Sequence, residues 1–161
     1  MLVGALDFDE LYPGRFIRAA DLKGQEWTGT IAGIRMEELL GKSGKRLKPI
    51  VAFKEAPQEL VLNRTNGECL KSMFGRNTGA WIGRRVTLFP APYEGSIALR
   101  VKGSPDIDQT TEIIVELPGK AAFRMTMHRT PLLIVDATSR RVDDDLARAR
   151  QLVSAVGVPG K

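Results

Sequence analysis

The sequence predicts a mainly β fold: a small five-stranded barrel with one helix between its third and fourth strands, followed by a carboxy-terminal hairpin and helix. Three observations lead there. Between residues 27 and 103, apolar and polar residues alternate in separate runs of strand length. One stretch with helical spacing, Cys69, Leu70, Met73 and Phe74, interrupts them after the third run. Turns built on glycine and proline separate the runs. Three strands, a helix and two strands is the order found in oligonucleotide/oligosaccharide-binding (OB) barrels.

The elements follow in chain order. Residues 1–26 lack a sustained period and read as a leader packed on the domain, with a turn at Tyr12-Pro13-Gly14 and with Phe16, Ile17 and Leu22 as its anchors. The first strand starts at Trp27. Gly29 and Ile31 face in and Thr28 and Thr30 face out. After Gly33 the phase flips, placing Ile34 and Met36 inside and Arg35 and Glu37 outside. A glycine at a phase change predicts a bulge, which suits the bent first strand of such a barrel. Gly41 to Lys45 turns the chain into a second strand, about Lys48 to Lys54, with Val51 and Phe53 inward. Glu59 to Leu62 forms a short third strand. Thr65 or Asn66 then caps the helix, with Glu68 near its positive end, and Gly75 stops it. Trp81 plugs one end of the barrel, while the pattern leaves Trp27 open between core and surface. The fourth strand spans Arg84 to Pro90. Pro92 to Gly95 turns into the fifth, Ser96 to Lys102, with Ile97, Leu99 and Val101 inward.

Residues 27–103 are thus the barrel, and residues 104–161 an extension that begins with a linker at Ser104-Pro105-Asp106. In it, Glu112 to Leu117 and Ala121 to His128 form a hairpin around Pro118-Gly119-Lys120. Asp143 to Val156 forms an amphipathic helix that starts on three aspartates and stops at Gly157.

Composition narrows the function. With 43% hydrophobic and 27% charged residues in 161, the chain is a folded globular protein and not a disordered one. No apolar run approaches the roughly 18 residues that would span a bilayer. The amino terminus shows no basic segment followed by an apolar stretch, so the expected compartment is the cytoplasm, with no membrane partner. One cysteine, Cys69, excludes an internal disulfide and a cysteine-built metal site. The net charge of +5 is unevenly spread. Residues 1–40 carry −3, residues 41–102 carry +8 and residues 103–161 carry 0. The excess sits in the barrel, where a polyanion would want it.

In an OB barrel, ligands lie on the outer face of strands two and three and on the loops joining strands one to two and four to five. Those places hold Lys42, Lys45, Arg46, Lys48 and Lys54, then Tyr93, with Arg100 and Lys102 nearby. The cations neutralise phosphates, and Tyr93 offers a base a stacking face. The expected ligand is single-stranded DNA, with RNA left open. Against this, aromatics make up only 6% of the chain, and Phe53, Phe74 and Trp81 belong to the core by position.

Catalysis finds little support. His128 is the one histidine and has no partner cluster in sequence. The aspartates 143–145 are explained by a helix dipole without a metal. The Gly41–Lys45 turn lacks the strand-to-helix setting and spacing of a phosphate loop. The expectation is therefore no enzyme, no cofactor and no metal. Asn63-Arg64-Thr65-Asn66 reads as a helix cap in preference to a phosphate seat.

Four blocks, Leu62-Asn63-Arg64-Thr65-Asn66, Phe74-Gly75, Trp81-Ile82-Gly83-Arg84 and Val86-Thr87-Leu88-Phe89, together with the leader Arg18-Ala19-Ala20-Asp21-Leu22, resemble a family of small bacteriophage and prophage proteins. The resemblance covers roughly residues 10–103. The chain departs from the family in placing Arg64 and Arg84 where lysine is common, and in its extension. It implies a phage early protein of replication or recombination, acting in the cytoplasm of a bacterial host. The competing expectation is a protein-interaction module that engages a host or phage protein through the barrel or through residues 104–161. The zero net charge and amphipathic helix of the extension would also suit a homodimer.

Overall fold

A computed structural model describes residue 5 and residues 14–131. The chain divides after Thr130 into two units, and of the second only Pro131 is described. The expected helix at 143–156 lies outside the described residues, as do Tyr12 and Pro13 of the expected turn.

The fold is mainly β with one α-helix. Its strands are β1 (Trp27–Gly41), β2 (Gly44–Phe53), β3 (Leu60–Val61), β4 (Arg85–Tyr93), β5 (Ser96–Ser104), β6 (Thr111–Val115) and β7 (Phe123–Arg129). Helix α1 (Arg64–Phe74) falls between β3 and β4, as expected. The strands form one mixed sheet in the order β3-β2-β1-β4-β5-β7-β6. The sheet stays open. The expected five-stranded barrel does not close: β3 is two residues long and pairs only with β2, while the free edge of β5 goes to β7.

The bend in β1 is where the glycine predicts it. The β1–β2 register shifts between Ile31 and Gly33, so Ala32 is the extra residue of a bulge. Before the bulge β1 pairs with β4, Trp27 opposite Leu88 and Thr30 opposite Arg85. After it β1 runs antiparallel to β2 as far as Gly41 opposite Gly44. The inner face carries the core: Ile31, Val51, Phe53, Leu60, Val86, Leu88 and Val101 are buried, joined by Cys69 and Leu70 of α1 and by Trp81. The Trp81 indole N–H donates to Gly75 O at 2.8 Å, so the residue that plugs the core also satisfies the end of α1. Trp27 packs edge-on to Phe53, with ring centroids 5.0 Å apart, and its ring lies over Gly29, where a Cβ would come within 2.3 Å of it.

Two inward assignments are corrected. Met36 is 58% exposed and Ile97 is 62% exposed. Both sit near hairpin ends, Met36 opposite Pro49 and Ile97 opposite Pro92, where strands outrun the core they alternate over. β4 extends through Pro90 and Pro92 to Tyr93. Both prolines lie beyond Leu88, the last β4 residue paired with β1, so that edge needs no N–H there. The β4–β5 turn places Glu94 and Gly95 at φ 47° and 77°, the two left-handed residues of a tight hairpin loop.

The helix cap differs from expectation. Asn63 is the N-cap, its side-chain oxygen accepting from Asn66 N at 2.8 Å. Glu68 lies beyond the first turn and pairs instead with Arg64 at 2.8 Å and Lys71 at 2.7 Å. Asn66 is buried and reaches the edge of β5. Its Nδ2 donates to Leu99 O at 3.0 Å, and its Oδ1 accepts from Val101 N at 3.2 Å.

Residues 104–106 are not a linker. Ser104 is buried and donates to Arg85 O at 2.6 Å, while the Asp106 carboxylate takes the Arg85 backbone N–H at 2.7 Å and its guanidinium. The expected hairpin exists as β6–β7, and β7 joins the sheet parallel to β5, with Gly103 opposite His128. The leader crosses the side that β3 and β5 leave open. Ile17 N donates to Glu59 O at 2.8 Å and Glu59 N to Arg15 O at 3.1 Å. The 3₁₀ turn Ala19–Leu22 then packs against β4 and β5. Ile17 and Leu22 touch the core, whereas Phe16 carries the Arg15 guanidinium 4.8 Å above its ring.

Two substitutions test this framework. Asn66→Ala strands two buried backbone groups on β5 and should cost about 2–4 kcal/mol, read as a lower urea midpoint at constant slope. A Cβ at Gly103 would sit 1.8 Å from His128 O, so Gly103→Ala should cost about 1–3 kcal/mol and speed amide exchange at Thr130. Gly33→Ala, with nothing within 4 Å of the added atom, is the control and should stay within about 0.5 kcal/mol of the parent.

Candidate nucleic-acid interface

The β1–β2 hairpin continues past its last core pair, Ile34 opposite Val51, as a two-stranded arm. Side chains directly opposite each other share a face, so the register sorts the arm into two surfaces. Met36, Glu38 and Leu40 share one face with Pro49, Leu47 and Lys45. It is largely apolar and open, with Leu40 80% and Leu47 65% exposed. Glu37 and Leu39 share the other face with Lys48 and Arg46. At the tip, Lys42 and Ser43 form the turn and Gly44 takes φ 100°.

The sequence-predicted cations therefore separate. Arg46 and Lys48 point to the non-core face and line a groove of about 320 Å³ together with Leu39, Val61, Lys42 and Ser43. Lys45 is on the opposite face beside Leu40, not with them. Register alternation within β2 is the reason. Lys54 follows β2, where its backbone N–H donates to Thr30 O at 3.0 Å and its side chain is exposed. Among the described residues, Lys42, Lys45, Arg46, Lys48 and Lys54 have no ion-pair partner.

Tyr93, Arg100 and Lys102 come together on the outer face of β4 and β5. The Arg100 guanidinium lies over the Tyr93 ring at 5.1 Å from its centroid. The Lys102 ammonium lies over Phe89 at 5.6 Å and also pairs with Glu26. Cation and ring alternate along the strip, each contact worth about 0.5–1 kcal/mol at an exposed site. Phe89 was not singled out from sequence. Its place opposite Arg100 follows from the hairpin turn at Glu94-Gly95, which fixes the register. Leu39 and Val61 were missed for a different reason: a leucine opposite an arginine reads as ordinary alternation until the groove is seen.

Between these two regions the non-core face is electrically matched. Arg15 reaches Glu37 at 2.5 Å, and Arg35 reaches Glu37 and Glu59, each at 2.7 Å. Two guanidinium and two carboxylate groups leave no net charge there. Hydrogen bonds from Arg15 and then Arg35 hold the Glu37 carboxyl at about 2, against an ordinary 4.5, and Arg35 holds Glu59 low as well. These ion pairs, on the leader, β1 and Glu59, lie beside the outer face of β2 and β3 where the ligand was expected. The arm and the β4–β5 strip remain available.

Cys69 is buried against β7, its Sγ 3.8 Å from Met125 Sδ, and burial pushes its thiol up to about 11. Among the described residues no group of three metal-ligating side chains converges, and no helix is long and apolar enough to cross a membrane. No protein-family model matches the chain, and no curated protein or solved structure matches it.

A carboxylate held below its ordinary value stabilises the fold above that value, and the contribution is lost as pH falls through the lowered one. The difference in urea midpoint between the parent and Glu37→Gln should accordingly be full at neutral pH, narrow below 4.5 and vanish near 2. A difference independent of pH would show that the Arg15–Glu37–Arg35 contact contributes nothing to holding the leader.

Proposed function

We propose that this chain is a non-catalytic nucleic-acid-binding protein of phage type, taking single-stranded DNA in preference to duplex in replication or recombination. Its first five strands act as an open relative of the OB barrel. The observation that carries the reading is the arm tip: within residues 39–48 there are four basic side chains and no acidic one, and among the described residues none of the four has an ion-pair partner. Beside the arm the protein neutralises Arg15 and Arg35 itself, so the excess at the tip is left for an outside anion. The Tyr93–Arg100 and Phe89–Lys102 pairs supply rings beside charge, the combination on which unpaired bases stack. A duplex offers no unstacked base to them.

One observation favours the competing reading of a protein-interaction module. Met36, Leu40 and Leu47 expose a contiguous apolar surface on the other face of the arm, of the kind that docks proteins.

Anisotropy titrations with labelled oligothymidine and a matched duplex at several salt concentrations separate the two. Replacing Lys42, Lys45, Arg46 and Lys48 by glutamine should weaken strand binding and flatten the log–log salt slope by about 3, since each lost phosphate contact removes about 0.7. An unchanged slope, or equal affinity for duplex, would overturn the assignment. Binding that survives these changes but is lost on Leu47→Asp, on the face away from the groove, would move the site to the apolar face.

A further inference from the structure

The groove that runs from the arm tip toward β3 has a lining that phosphate binding alone does not call for. Leu39 and Val61 are half-buried and form its floor, while Lys42, Ser43, Arg46 and Lys48 are exposed and form its rim. The floor is built from two separate pairings. Leu39 sits opposite Arg46 in the arm, and Val61 sits opposite Ile50 where β3 joins β2. A phosphate gains nothing from two aliphatic side chains, and an apolar floor beneath cations loses solvation that a purely electrostatic site would keep. A flat, weakly polar group tethered between two phosphates fits both parts.

We infer that the groove receives a single nucleobase of the bound strand, its face on Leu39 and Val61, with Arg46 and Lys48 holding the phosphates on either side. This rests on the nucleic-acid reading above and adds the place of a base within it. The volume, about 320 Å³, is at the small end of ligand sites and has room for one nucleotide but not two. Ser43 is the single neutral hydrogen-bonding side chain of the lining. The groove therefore accepts any base by shape and apolar contact, without reading its edge.

The test compares oligothymidine with a strand of equal length in which tetrahydrofuran abasic units replace the nucleosides, using the full chain. The parent should bind the abasic strand about fivefold more weakly, with the same salt slope for both, because the phosphates are unchanged. Leu39→Ser, which removes the floor, and Val61→Phe, which fills the groove, should each shrink that ratio to about twofold while leaving the slope alone. Two changes of opposite size guard against a loss caused by local unfolding. If the parent binds both strands equally, no base is held anywhere on the protein, and if both variants keep the full ratio, the base that matters lies on the Tyr93 and Phe89 rings; either result overturns the inference while strand binding stands. If neither strand binds, the functional reading fails and takes this inference with it.

Discussion

The side-chain amide of Asn66 organises this sheet, because it stands where a strand would otherwise be. A carboxamide offers one acceptor and one donor with nearly the geometry of a peptide group. Asn66 spends both on Leu99 O and Val101 N. The β5 edge beyond that point is taken by β7, at Gly103 and Ser104. With Leu99 O and Val101 N taken by a helix side chain and Gly103 and Ser104 by a strand, much of the β5 edge is already satisfied without β3. The same contact helps seat α1 on the core, where Cys69 and Leu70 are buried.

The electrostatics of the non-core face divide by whether a cation has been answered from within. Exposed ion pairs are each worth about 0–1 kcal/mol, so the Arg15, Arg35, Glu37 and Glu59 group contributes little to stability. Its consequence is selective. It removes the surface beside β1 and Glu59 as an anion site and leaves positive potential along the arm, effective over about one Debye length at physiological salt.

Much of this was legible in the sequence, and what was not has physical reasons. The order of elements, the bulge near Gly33, the inward Val51 and Phe53 and the β6–β7 hairpin follow from periodicity and turn residues, which are local properties. Periodicity cannot say where a core ends, so Met36 and Ile97 were assigned inward by phase although they extend past it. Asn66 read as a cap because capping is the commonest use of asparagine near a helix start. Its partner is 33 residues away, and no local pattern encodes that distance. Ser104-Pro105-Asp106 looked like a linker by composition, yet each polar side chain there has a backbone target on β4. In the candidate site, the arm's cations were visible as a charge excess, but the face each one occupies required the register. The internal neutralisation of Arg35 required a contact with Glu59, 24 residues on.

The burial of Cys69 has a use beyond packing. It is the chain's one thiol, sealed at the seam between α1 and β7 and held protonated by its surroundings. A thiol reagent cannot reach it without the seam parting. Its rate of modification therefore counts the moments at which helix and hairpin separate, and a bound ligand that tightens the sheet would slow that rate. The molecule carries its own clock for the breathing of its core, at a position where no residue need be changed to read it.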